Sequence, residues 1–255
     1  MKRWMLLPLA FLMVVPASLA AQEEAAPTWW AVFSEHVPPS NVMAFEENSK
    51  AMMELIRANA PAELVYYTHA GPETGYMYTF PMTGMGDFMT LNEQWMGMIE
   101  KIGWEKWEEM SPPGLTERTS FNFYVEMLDQ SYHPEGFVES LPDKPFRRFD
   151  LLYPKTGMED EFNDVLKEWV SFYAEHGLEA GWTAYQAVSG DNLPLVVLIT
   201  PAASARVFHE LAEQEEAIVW EAGTELWTKT MEMLRGYESD DANFRPELSL
   251  LPDEM

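Results

Sequence analysis

The chain has 255 residues, 47% of them hydrophobic, enough for a sizeable core in one large domain or two small ones. Forty-two Asp and Glu against 16 Lys and Arg give a formal charge of −26, which opposes binding to nucleic acid or to an anionic membrane. There is no cysteine, which excludes disulfides, thiolate nucleophiles, cysteine-based zinc or iron–sulfur sites and a lipid-modified cysteine anchor.

Residues 1–20 carry the pattern of an export signal: Lys2 and Arg3, an apolar run from Trp4 to Pro16, and Ser18-Leu19-Ala20 before Ala21. That run is short for a bilayer and holds Pro8 and Pro16, and no other stretch is long and apolar enough to cross one. Cleavage removes Lys2 and Arg3 and takes the formal charge from −26 to −28. The mature chain is therefore expected to be soluble, periplasmic or secreted, and free of membrane.

A short acidic leader, 21–27, precedes Thr28–Ser34 (TWWAVFS), an aromatic and β-branched run that reads as a strand. Pro38-Pro39-Ser40 breaks it and offers Ser40 as a helix N-cap; Val42, Phe45, Met52, Met53 and Ile56 then recur at helical spacing. Leu64–Thr68 and Tyr76–Phe80 read as a hairpin across Gly71–Gly75. Asp87 opens a helix with Phe88, Leu91, Trp95, Met98 and Ile99 on one stripe. Gly103 interrupts it before Trp104–Met110, and Thr119–Leu128 is a fourth strand. A linker rich in Pro, Gly and charge, 131–147, leads into the same order again. Strand Phe149–Tyr153 and a Thr156–Glu159 capping box precede a helix through Phe162, Val165, Leu166, Trp169 and Tyr173. The hairpin Trp182–Val188 with Leu195–Thr200 follows, then helices Ala205–Ala222 and Thr224–Leu234 broken at Gly223. Asn243–Leu251 reads as the closing strand, placed at a sheet edge by Pro246.

The recurrence is written in the residues. At an offset of 120, Pro81, Phe88, Leu91, Glu93, Gln94, Gly103, Glu105 and Trp107 meet identical residues, eight matches in 27 positions; average composition yields roughly one or two. The domains are thus a first repeat over 28–130 and a second over 148–251. Strand–helix–strand–strand–helix–strand, twice, is the ferredoxin-like plan and an α+β fold. Both alternating sets of side chains are apolar in several strands, Trp29, Ala31 and Phe33 against Trp30 and Val32 for example. Something must therefore cover the second sheet face, and the other repeat's sheet, packed face to face, is the expected partner.

In this element order the chain resembles the dimeric α+β barrel superfamily, as an internal pseudo-dimer made by two tandem βαββαβ repeats. The resemblance implies a ligand site on the inner sheet face or between sheet and helices. Its members include cofactor-independent monooxygenases, haem-degrading oxygenases and chlorite dismutase-like haem enzymes; fold does not choose among them.

The expected reading is an exported protein holding a small apolar or aromatic ligand between the sheets, lined by Trp30, Tyr67, Tyr124, Asp150 and Tyr185. The alternatives are a monooxygenase-like or haem-handling enzyme and a structural or interaction module. Asp150 stands at offset 120 from Trp30 inside an aromatic strand; it is a candidate general base, or else a strand-end partner of Arg147 or Arg148. His69 and His209 are the other candidate reactive groups, and His209, beside Phe208, is the residue a haem would use. No cofactor and no metal is otherwise expected: no histidine pair has helical ligand spacing. Met82, Met85 and Met89 could offer thioethers to Cu(I), but their offset counterparts Ala202, Ala205 and His209 leave core filling the simpler account. Whether the repeats close on each other or on another chain is left open at this point.

Overall fold

The computed structural model describes residues 26–71, 75–137, 141–190 and 192–252. The expected export signal 1–20, most of the expected leader and turn residues 72–74 and 191 lie outside the described residues. Eight strands and six helices alternate along them. They are β1 (Trp29–His36), α1 (Val42–Asn59), β2 (Tyr67–Gly71), β3 (Gly75–Met82), α2 (Asp87–Ile102), α3 (Trp104–Met110) and β4 (Arg118–Glu126) in the first half. The second half has β5 (Phe146–Pro154), α4 (Glu159–His176), β6 (Thr183–Ala187), β7 (Val196–Ala202), α5 (Ala205–Ala222), α6 (Thr224–Met233) and β8 (Leu234–Phe244). No described helix is long and apolar enough to cross a membrane.

All strand pairs are antiparallel, and the strands close into one barrel in the order β1-β3-β2-β8-β5-β7-β6-β4. This corrects the expectation of two sheets stacked face to face. The free edges of the two four-stranded halves, β2 and β4 against β8 and β6, hydrogen-bond to each other, so no edge is left unpaired. The apolar second face is covered because the sheet curls around it. The halves close on each other within one chain.

Cross-strand partners share a face, and the registers sort the barrel. Trp30 lies opposite both Pro81 and Tyr124, His69 opposite Met77 and Phe244, and Phe149 opposite Ile199 and Asp240. This is the inner face, packed by Phe149, Tyr153, Ala187, Leu195, Val197 and Ala242, as eight strands leave room for side chains to fill. The outer face carries Ala31, Tyr76 and Phe80 under α1–α3 in the first half. In the second, Leu152, Ala184 and Val196 lie under α4–α6.

The closing strand β8 begins directly after α6 and ends at Phe244; Pro246 lies in a short 3-10 turn, Pro246–Leu248, beyond it. The expected strand at 243–251 is therefore displaced. The physical reason is composition: Glu238, Ser239, Asp240 and Asp241 hide the apolar alternation of a strand that is paired on both sides. At the start of α4, Thr156 makes no cap bond; the Glu159 carboxylate instead accepts from the Gly157 N–H at 2.7 Å.

The register also revises which residues correspond between halves. Trp30 faces Pro81 and Arg147 faces Pro201, so the counterpart of Trp30 is Arg147, not Asp150. His69 faces Met77 and Tyr185 faces Val197, so His69 answers to Tyr185, not Ser189. The helices α1 and α4 are each 18 residues long and start at Val42 and Glu159, an offset of 117. The 120 offset holds from β3 through the Gly103/Gly223 break, where both glycines cap a helix and begin the next, and on into α3 and α6.

After its last strand each half sends a tail into the other. Met127 and Tyr132 join the second core, with Tyr132 bridging Trp182. Leu248 joins the first, where the Thr68 hydroxyl donates to its carbonyl at 2.6 Å and the Arg57 guanidinium to the Glu247 carbonyl at 2.9 Å.

Candidate functional site

A cavity of about 560 Å³ lies between α1–α3 and the outer face of the first half's sheet. Its floor is Phe33, Glu35, Tyr78 and Phe80; α1 contributes Asn48, Ser49 and Met52; α2 and α3 contribute Trp95, Trp107 and Met110. Aromatic strand residues face the helices because every second residue of β1 and β3 points outward. Asn92 and Phe121, both exposed, stand at its open rim.

Among the described residues that line it, Glu35 alone is charged. Its strand position is held tightly: Gly75, at φ +68°, starts β3 so close that a Cβ there would collide with the Glu35 carbonyl. Burial raises the Glu35 carboxyl above the usual carboxylate range, opposed by hydrogen bonding from the Tyr78 hydroxyl. Burial drives the Tyr78 phenol well above the ordinary tyrosine range, with the Glu35 charge adding to it. Tyr66, also in the wall, donates its hydroxyl to the Met53 sulfur at 2.8 Å. A carboxylate of raised basicity among aromatic rings is the arrangement of a general base for a weakly acidic apolar molecule.

The structure places the residues singled out from sequence elsewhere. Trp30, Tyr67, Tyr124, Tyr185 and His69 do share one face, but it is the inner barrel face, on the opposite side of the sheet from the cavity. The Trp30 and Tyr67 rings are 6.1 Å apart, and the Trp30 Nε1 is buried without a hydrogen-bond partner. Burial pushes Tyr124 up to about 12. His69 is buried against Phe149 and Phe244, with neither ring nitrogen bonded; burial, and then the nearby Arg147 charge, depress it to about 3. It is a neutral core histidine.

Asp150 is on the outer face of β5, opposite Leu198 and Ser239, and does not join the inner-face set. It accepts from the Arg148 Nε at 3.2 Å and from the Tyr237 hydroxyl at 2.8 Å. His209 is exposed on α5, its ring 5.2 Å from Phe208. Met82 is buried while Met85 and Met89 face solvent, so these three do not converge as a copper site would require. No described residues cluster as a His, Cys, Asp or Glu metal site. The described lining of the cavity offers a haem iron no histidine or cysteine, and both candidate histidines lie outside it.

Glu35 escaped sequence reading because it closes an apolar strand like an ordinary polar terminus. The signal that finds it is the comparison of halves at the right offset: Glu35 faces Tyr76 where Leu152 faces Val196.

No family model and no curated protein matches the sequence. Solved structures do match in shape. An anthrone oxidase-like protein superposes with a TM-score of 0.58 at 12% identity, covering 91% of this chain and 95% of its own. A protein described as a candidate monooxygenase from Lactobacillus acidophilus NCFM gives 0.51 at 9% identity, covering 89% and 97%. A mutant chlorite dismutase from Candidatus Nitrospira defluvii gives 0.51 at 7%, covering 87% and 92%. This chain has the dimeric α+β barrel fold. At such identities the likeness is one of fold alone. Within this barrel the cavity lies between the sheet and helices of the first half.

Proposed function

We propose that this chain is an exported protein made of two tandem ferredoxin-like repeats, and that it binds one flat, mostly apolar small molecule and oxygenates it with Glu35 as base. The observation that carries the reading is the lone carboxylate of raised basicity in an aromatic cavity of about 560 Å³. Two similar folds belong to proteins named as monooxygenase-like and anthrone oxidase-like, which supports the reaction class without assigning it. Glu35 removes a proton from an activated CH2 group, leaving an anion delocalised over the ring system. Dioxygen adds to the carbon and, as water leaves, a carbonyl remains: CH2 plus O2 gives C=O plus H2O, with no external electrons. The apolar walls exclude bulk water from the anion, and Asn48 and Ser49 offer hydrogen bonds to its oxygen atoms.

The test is anthrone under 18O2. The expected product is anthraquinone carrying one labelled oxygen. Glu35→Gln should keep Kd for anthrone and lose about 10²- to 10⁴-fold in turnover. The base works ionised, so turnover should fall as pH drops through a pKa above the ordinary carboxylate range. Binding without turnover would leave a ligand carrier; no binding would end the reading.

A further inference from the structure

The cavity wall holds four oxidisable aromatic side chains, Tyr78, Tyr66, Trp95 and Trp107, and they touch in sequence. From Tyr78, beside Glu35, the next ring is Tyr66 at 6.0 Å between centroids. Trp95 follows at 6.0 Å from Tyr66, and Trp107 at 5.8 Å from Trp95. Tyr66 is fully buried, whereas Trp107 on α3 is partly open to solvent. Rings at these separations are in or near van der Waals contact, close enough for electrons to pass between them. At the offset of 120 the second half holds Leu198 for Tyr78 and Glu215 for Trp95, with Trp227 repeating Trp107; its own touching rings, Tyr132, Trp182, Tyr173 and Trp169, pack in the second core.

We propose that Tyr78, Tyr66, Trp95 and Trp107 form an electron relay that reduces one-electron oxidants arising in the cavity, with Glu35 taking and returning the Tyr78 proton. The oxidant class is an organic peroxyl radical left by an interrupted oxygenation; only that origin rests on the oxygenase reading. The peroxyl radical takes one electron from Tyr78, whose phenolic proton moves to Glu35. Among the described residues the hydroxyl partner of Tyr66 is the Met53 sulfur, which is no base, so Tyr66 keeps its proton and serves as a bridge. Across it Trp95 returns an electron to Tyr78, which recovers its proton from Glu35. Trp107 re-reduces Trp95 and releases its indole proton to solvent, and the peroxyl anion takes up one proton to become the hydroperoxide. The net change is one hydrogen atom from Trp107 to the peroxyl radical; a soluble thiol restores Trp107 by giving up one hydrogen atom.

The test uses 9,10-dicyanoanthracene, a flat apolar photo-oxidant, bound to the full chain and excited by a laser flash. The expected result is a short-lived tyrosyl signal giving way to an indolyl radical, with oxidation products at Trp107 by mass spectrometry. Trp95→Phe, which keeps an aromatic ring in the core, should hold the radical on tyrosine and abolish Trp107 oxidation. Trp220→Phe, on the exposed face of α5, should change nothing. Trp107 oxidation that persists in Trp95→Phe would overturn the relay, because the dye would then be reaching Trp107 directly. If the dye does not bind, azide radicals from pulse radiolysis replace it, and the relay is overturned unless a tyrosyl signal decays into an indolyl signal in wild type and persists in Trp95→Phe. A chain that relays but does not convert anthrone would remove the oxygenase reading and leave the relay standing.

Discussion

The two halves share a scaffold and differ in whether the space under their helices is hollow or solid. At an offset of 117, the first helix of each half sets Asn48 against Val165, Ser49 against Leu166 and Met52 against Trp169. Glu35 stands against Leu152, and Met110, at the 120 offset of α3 to α6, against Thr230. In the second half Trp169 fills the centre, its indole N–H donating to the Thr230 hydroxyl at 2.8 Å, among Leu152, Val165 and Leu166. At four of these positions the first half places smaller or polar groups, Met110 against Thr230 being the exception, and it keeps a cavity. A site in this fold is thus made or unmade by about five side chains, with the backbone plan untouched.

Removing the plug is the strongest way to test that comparison. Trp169→Ala should destabilise the protein by about 3–5 kcal/mol, read from the denaturant midpoint, since a large buried ring leaves a void. If the contrast is right, the variant should also gain a second binding event for an apolar dye. A single event would mean the second half collapses around the loss.

The reciprocal change, Met52→Trp, puts the second half's residue into the first. Binding in the first-half cavity should be lost, while stability moves by less than about 1.5 kcal/mol because the ring enters existing space. Retained binding would show that the ligand does not occupy the centre of this cavity.

The smallest effect concerns the inner face, where His69 stands against Tyr185. His69 is depressed from 6.5 to about 3 in the fold, so the unfolded chain binds its proton first. The stability associated with neutral His69 is complete above about pH 6.5 and is lost as pH falls toward 3. His69→Leu should flatten stability across that window. At neutral pH it should change stability by no more than about 1 kcal/mol, since no hydrogen bond is broken. An unchanged acid profile would show that His69 is not the group titrating.

The contrast between halves was only half legible in the sequence. The order of elements was readable because apolar periodicity, proline and glycine act locally: Gly103 and Gly223 break their helices where expected. Pairing across the barrel was not, because the edges β2, β8, β4 and β6 meet through chain segments far apart in sequence. The identities from Pro81 to Trp107 are real, but extending their offset back to β1 and α1 shifts the frame by three residues. That shift paired Trp30 with Asp150 and hid Glu35 behind the wrong counterpart. It also turned attention to polar residues of the inner face, where His69 and Tyr124 are core members. The aromatic strand residues alternate between two buried faces, and composition alone does not say which face is hollow.

The exchanged tails bear on how such a hollow can persist. Leu248, from the 3-10 turn after β8, sits in the first half's core, and Tyr132, from the end of the first half, sits in the second's. Neither half can come apart without stripping a piece from its neighbour, so the two are expected to melt in one transition. A tightly packed lobe thereby holds a loosely packed one in shape. In a pair of identical chains any substitution would appear in both lobes at once. Fused into a single chain, one lobe is free to become ballast while the other opens.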